Sequence, residues 1–361
     1  LSPRPMIFPH SIPLEQHFES SSLYLSLSLC RSVKSEREIT LMRYVAYISS
    51  MAHVAVMRSA KPNMMEYQLE AQFLYEAYHK GGCRHTAYTS ICACGPSGAV
   101  LHYGHAGEPN DKLITERDMA LLDMGAVYHG YSSDITCSFP ISSRFSSQQT
   151  LIYETVLNAQ RAVFHLVQPG VLWSICHKAA EREIVRGLMR AGVLEGAEEE
   201  IFAAELGCVF FPHGLGHLIG CDAHDVGGYI DSITPSRPAE RGVNKLRTAR
   251  LLEENMVLTN EPGCYFIGYL LDQAIANPRQ SPFINQEVLD SYRTFGGVRL
   301  EDMFVVTATG ASNITLCPRT VLEVEEVMSG GSWPPVRDMA PELKRRWSVL
   351  SDDRCAMKEV D

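Results

Sequence analysis

Apolar positions recur with a helical period near the start of the chain. In residues 35–60, Ile39, Met42, Val45, Ala46, Ile48 and Ala52 fall near one face of a predicted helix. Ser35 followed by Glu38 supplies a capping box at its start. Residues 61–82 predict a second helix, closed by Gly81 and Gly82. TSICACGPSGAVLHYG predicts a strand, a Gly-Pro turn and another strand. ALLDMGAVYHGYSSDITCSF predicts a hairpin turning near His129-Gly130. Residues 147–167 and 174–192 return to the helical period on either side of Pro169-Gly170. HGLGHLIGCDAHDVGG holds too much glycine for a helix. ENMVLTNEPGCYF and GGVRLEDMFVVTATG predict strands, with a partly helical excursion over 268–294 between them. Helix pairs, a hairpin, further helices and further strands predict an α+β fold, not repeated βαβ units.

The two ends of the chain read differently. Residues 1–32 are a leader or the remnant of a further domain, and the Leu/Ser alternation of LYLSLSLC suggests a strand remnant. That stretch lacks the continuous apolar core and small-residue cleavage site of a signal peptide. Residues 33–328 form the main domain. Residues 329–361 are a flexible tail, with SGGSWPP as linker and PELKRRWSVLSDD as a short exposed helix.

Composition narrows the function. A net charge of −10 gives no general footprint for nucleic acid. No run of eighteen apolar residues marks a membrane span. The eleven cysteines are scattered without a paired CxxC framework. Reduced thiols in a cytoplasmic protein account for them.

Several acids and histidines carry the chemistry. Asp123 and Asp134 lie eleven residues apart across the predicted hairpin, so both can reach one face. Two buried carboxylates need a cation or donors; hairpin hydrogen bonds are the alternative reading. His213 and His217 lie four apart, but Gly214 and Gly216 argue for a loop whose backbone closely approaches a ligand. His224 adds a third histidine, with Asp222 and Asp225 nearby. Glu261 and Glu301 each follow apolar residues in predicted strands. With the aspartates and His217 they make an oxygen-rich ligand set suited to manganese or magnesium. Convergence of the five side chains within about 4–5 Å of a shared centre is expected for two-metal catalysis. Periodicity alone does not bring these elements together.

From about residue 33 to 328 the chain resembles the prolidase family of pita-bread metallopeptidases. The matching stretches are HYGHAGEPN, LLDMG, SSDITCSFP, FFPHGLGHLIG, HDVGGY, LRTAR, LTNEPGCYF and FGGVRLED. The resemblance implies a pita-bread fold with two pseudo-symmetric halves around two Mn2+ ions. It implies Asp134 and Glu301 as bridging ligands. Asp123 would complete one ion's shell, and His217 with Glu261 the other's. Glu261 would also relay a proton, and His224 would contact the scissile carbonyl. His102, His213, Arg247 and Arg299 would surround the substrate's proline and its carboxylate. For both arginines, surface or structural ion pairs are the alternative reading. The implied reaction is hydrolysis of Xaa-Pro dipeptides, releasing proline. The alternatives are an aminopeptidase P-like enzyme acting on longer peptides, a non-catalytic pita-bread binding module, or an inactive fragment.

Three departures from the family stand out. Full-length members carry an N-terminal domain that helps them form homodimers and limits substrate length, and it is nearly all missing here. Exposed apolar surface, self-association and looser length control are the expected consequences. Asn260 stands where an apolar or small residue is usual, and Met303 where an acid or amide is common.

Overall fold

A computed structural model describes residues 20–105, 107–231 and 233–348, with side chains from residue 23. The helices are α1 (Ser20–Ser32), α2 (Glu36–Ser59), α3 (Glu66–Tyr75), α4 (Ser147–Leu166), α5 (Trp173–Arg190), α6 (Glu198–Ala203), α7 (Gly207–Phe210), α8 (Gly268–Ala276), α9 (Gln286–Tyr292) and α10 (Val321–Met328). The strands are β1 (His85–Thr86), β2 (Ile91–Cys94), β3 (Met119–Asp123), β4 (Ala126–Tyr128), β5 (Tyr131–Ser132), β6 (Thr136–Pro140), β7 (Val257–Asn260), β8 (Gly263–Tyr265), β9 (Gly297–Arg299), β10 (Asp302–Thr307) and β11 (Gly310–Asn313).

Two antiparallel three-stranded sheets organise the molecule, β2-β3-β6 and β11-β10-β7. α2 and α3 pack together on the side of the first sheet, and α4 and α5 beside the second. One large apolar core runs through both halves, from Leu69 and Phe73 of α3 to Trp173 of α5 and Phe304 of β10. The sheets meet where Thr136 at the start of β6 bridges Glu301 just ahead of β10.

Local signals account for much of this. Ser35 and Glu38 form the expected capping box on α2. α2 is long and apolar enough to cross a membrane by length and composition, but 61% of that window is buried inside the protein. His129 and Gly130 both have positive φ (47° and 82°), as a two-residue hairpin turn joining β4 to β5 requires.

Three local expectations are corrected. LYLSLSLC is not strand: it lies in α1, with Leu23 and Leu27 exposed, and Arg31 at its end bonds Asp222 and Asp225. Helical neighbours and these ion pairs override the period-two alternation. GAVLHYG is not a second strand; a 3-10 turn over Gly95–Ala99 follows β2, and among the described residues no ladder partner pairs with those after it. Nor is the described part of the C-terminal stretch an exposed flexible helix. After one 3-10 turn, Pro341–Leu343, residues 344–346 run beside β11 through Asn313 N to Lys344 O (3.0 Å) and Arg346 N to Asn313 O (2.8 Å). The Arg345 guanidinium is fully buried against Glu323 at 2.7 Å and also bonds Asp338. Tertiary partners for Leu343 and Arg345 pull this polar stretch onto the body. Residues 349–361 lie outside the described residues, as do 1–19. The described cysteines are all free of disulfides.

Candidate metal centre

Spacing along the strands builds the site. Residues two apart share a face of a strand, and three such pairs point inward: Asp134 with Thr136, Thr259 with Glu261, and Arg299 with Glu301. Asp123 ends β3 directly opposite Thr136. The histidine loop joins this frame as an added edge. Leu218 bridges Leu258, Thr259 N donates to His217 O (3.0 Å), and Glu261 N donates to Leu215 O (2.8 Å). Gly216 makes that approach possible, since a Cβ there would lie 2.0 Å from the Thr259 carbonyl oxygen. The expected glycine-permitted contact is therefore with β7.

The five predicted ligand residues line one cavity of about 1010 Å3. Ligand atoms of Asp134, His217 and Glu301 lie within 4.8 Å of one another, and all three residues are buried. His217 Nε2 is 3.4 Å from Asp134 Oδ2, 3.4 Å from Glu261 Oε1 and 4.0 Å from Glu301 Oε1. His217 Nδ1–H donates to Leu218 O at 3.0 Å, which leaves the Nε2 lone pair facing the carboxylates. Thr136 Oγ1 donates to Glu301 Oε2 (2.7 Å), and Thr259 Oγ1 to Glu261 Oε1 (3.2 Å). Asp123 accepts from Tyr88 OH at 2.6 Å and from Arg299 Nη2 at 2.7 Å. Met303 stands behind the cluster, its sulfur accepting from Asp134 N at 3.3 Å.

Electrostatics marks the cluster as short of cations. Burial and then the charges of Asp123 and Glu261 hold the Asp134 carboxyl well above its usual range. Burial and then Asp134 do the same to Glu301. Glu261 is pushed up to about 8 by burial and then by Glu301. Burial also lowers His213 and His224 to about 3, so both rings are neutral. Carboxyl oxygens crowded around one free imidazole nitrogen, raised in pKa for want of a cation, are a ligand set for hard divalent cations once deprotonated. The residues therefore fit the metals that the sequence suggests.

The remaining predicted site residues divide into two groups. His102, Arg247 and His224 line the same cavity and are all exposed to it, and the His224 ring packs edge-on to His217 at 4.4 Å. No hydrogen bond or ion pair engages the Arg247 guanidinium among the described residues. Arg299 is the opposite case. Its guanidinium bonds Asp123, Tyr265 OH at 2.9 Å and Thr136 Oγ1 at 3.0 Å, so it is held as a structural ion pair while still facing the cavity. Tyr265 passes this chain on to His213 Nε2 at 2.8 Å. Sequence reasoning missed Tyr88, Thr136, Thr259 and Tyr265. The two threonines were within reach, each two residues from a ligand on a strand. Nothing local marks the two tyrosines.

The profile of Metallopeptidase family M24 matches residues 40–308. The chain is 50% identical over 301 residues to Xaa-Pro dipeptidase of Rattus norvegicus, covering 83% of this chain and 61% of that protein. It is 49% identical over the same length and shares to Xaa-Pro dipeptidase of Homo sapiens. Among solved structures, Pseudomonas aeruginosa aminopeptidase PepP superposes with a TM-score of 0.69 at 37% identity, over 83% of this chain and 60% of that one. Proline aminopeptidase P II from Yersinia pestis gives 0.71 at 33%, over 85% and 62%. The chain thus spans about three-fifths of the length of the relatives it matches.

Proposed function

The chain belongs to metallopeptidase family M24, with its pita-bread α+β fold, and from that premise we propose that it hydrolyses Xaa-Pro dipeptides with release of proline. The observation that carries this reading is the buried convergence of Asp134, His217 and Glu301, with Glu261 and Asp123 on the same cavity. Asp123, Asp134, His217, Glu261 and Glu301 would hold two divalent cations, manganese in our reading. When bound, such ions activate water at neutral pH and offset charge developing on a carbonyl oxygen.

The chain's own groups supply the rest. Glu261 accepts the proton of the attacking water and passes it to the leaving imide nitrogen. His224 reaches the scissile carbonyl from the side of His217. Proline's imide nitrogen has no N–H, so the enzyme reads the adjacent free carboxylate instead. Arg247, a guanidinium on the cavity wall that no described residue pairs with, is the group suited to that carboxylate. His102 and His213 flank it. Arg299 acts on the site chiefly by holding Asp123. We assign residues 33–328 as the catalytic domain and a cytoplasmic location, in keeping with the free thiols.

A second reading, aminopeptidase P-like cleavage of longer peptides, is favoured by one observation. Several of the cavity's lining residues, His102, His105 and Arg247 among them, are exposed. Purified protein assayed on Gly-Pro and on longer Gly-Pro peptides, with and without Mn2+, separates the two. Mn2+-dependent cleavage of Gly-Pro alone supports the dipeptidase. Preference for the longer peptides supports the aminopeptidase, and no cleavage of either ends both.

A further inference from the structure

The peptide units ahead of Glu261 and Glu301 are held at both ends. On the N–H side, Glu261 N donates to Leu215 O at 2.8 Å and Glu301 N to Thr136 O at 3.1 Å. On the carbonyl side, a single side chain serves both. Gln160 Nε2, from α4, donates to Asn260 O at 3.4 Å and to Leu300 O at 3.3 Å. Asn260 returns the contact, its Nδ2 donating to the Gln160 main-chain carbonyl at 3.1 Å. Both residues are fully buried. The two amide groups thus tie α4 to the backbone immediately before each glutamate.

This arrangement is costly for packing alone. Gln160 Oε1 and Asn260 Oδ1 are buried and have no hydrogen-bond partner among the described residues. A buried acceptor without a donor destabilises the fold, and apolar side chains of the same shape would avoid that penalty. A polar pair that weakens the core yet holds two ligand-bearing peptide planes serves geometry and not stability. Planes fixed at both ends set the Cα–Cβ directions of Glu261 and Glu301, and so the separation of their carboxylates.

We infer that Gln160 and Asn260 are positioning residues that set the relative placement of Glu261 and Glu301 for divalent-cation binding. The inference rests on the metal-centre reading of those glutamates, but not on the identity of the peptide substrate. Its test reads Mn2+ affinity of metal-free protein by titration calorimetry, alongside the thermal midpoint. Gln160→Met removes both carbonyl contacts and is expected to weaken Mn2+ binding about tenfold, the lower end for loss of a group that orients ligands. Gln160→Leu likewise removes both donors, and should behave like Gln160→Met. Asn260→Leu retains the Gln160 donors and should weaken binding less. The double variant Gln160→Met/Asn260→Leu should melt at or above the wild-type temperature while still binding Mn2+ more weakly. That separation of stability from affinity is what a merely structural pair would not produce.

Unchanged Mn2+ affinity in Gln160→Met overturns the inference. So does a double variant whose affinity and melting temperature fall together. Should Gln160→Met fail to fold, Asn260→Leu and the double variant decide by the same two measurements. Wild-type protein that binds Mn2+ without cleaving Gly-Pro would end the dipeptidase reading and leave this inference standing. Wild-type protein that binds no divalent cation would end both.

Discussion

Glu301 and Asp302 are neighbours in sequence and equally buried, yet they live in opposite chemistry. Adjacent strand residues point to opposite faces. Asp302 points to the side where Arg319 waits, bonded at 2.6 and 2.9 Å, with Asn313 Nδ2 at 2.7 Å on its other oxygen. Glu301 points into the cavity, where its oxygens meet Thr136 Oγ1 and the vicinity of His217, Asp134 and Glu261. Arg319 even bonds the Glu301 main-chain carbonyl at 2.6 Å while leaving its side chain alone. Burial therefore does not separate a structural acid from a ligand acid. The separation lies in whether the protein itself supplies the cation.

The largest effect should come from removing that cation. Arg319→Met strands Asp302 in the core, and loss of one partner of a buried pair costs about 3–5 kcal/mol. Urea unfolding measures it. Glu301→Gln should not destabilise the metal-free protein, because it removes a charge from a crowded anionic cluster. It should instead lower kcat/KM by more than about a hundredfold, beyond what loss of a mere orienting group costs. If Glu301→Gln were as destabilising as Arg319→Met, the contrast between the two acids would collapse.

A middle effect sharpens the same contrast from the cationic side. Arg299 has its anion in Asp123, whereas Arg247 faces the cavity with none among the described residues. Arg247→Ala should cost roughly 1.5–3 kcal/mol in kcat/KM on an Xaa-Pro dipeptide, the worth of a charge-assisted hydrogen bond. The amidated dipeptide should lose little. Equal losses on both substrates would assign Arg247 a structural role.

The remaining effect is a slope with pH. Glu261 has its pKa raised from 4.5 to about 8 in the folded, metal-free protein. A raised acid binds its proton more tightly when folded. Its stabilising contribution is thus complete below about pH 4.5 and lost as pH rises through about 8. The buried neutral histidines slope the other way below their ordinary pKa, so the measurement is the difference between wild type and Glu261→Gln. That difference in unfolding stability should shrink as pH rises from 5 to 8 without metal. Added Mn2+, which binds the deprotonated carboxylate, should flatten it. A difference that grows with pH would mean that Glu261 has a cationic protein partner after all.

What the sequence by itself determined is local. Ser35 and Glu38 start α2 because a capping box closes within one turn. His129-Gly130 turns the hairpin because both positions need positive φ. The inward faces of the ligand strands follow from a spacing of two. The motifs around Asp123, Asp134, His217, Glu261 and Glu301 named the ligand set by resemblance, and they did so before any geometry linked the five. Tertiary structure decided the rest. It made LYLSLSLC helical and laid residues 344–346 along β11, against their local patterns, because distant partners supplied the bonds. It turned Arg299 toward Asp123, a residue 176 positions away. It set Gln160 behind two glutamate strands more than a hundred residues downstream, at separations of 100 and 140. Propensities and caps act over a few residues and are written where they act. A side chain's partner across a core depends on how whole elements pack, and no short stretch of sequence carries that.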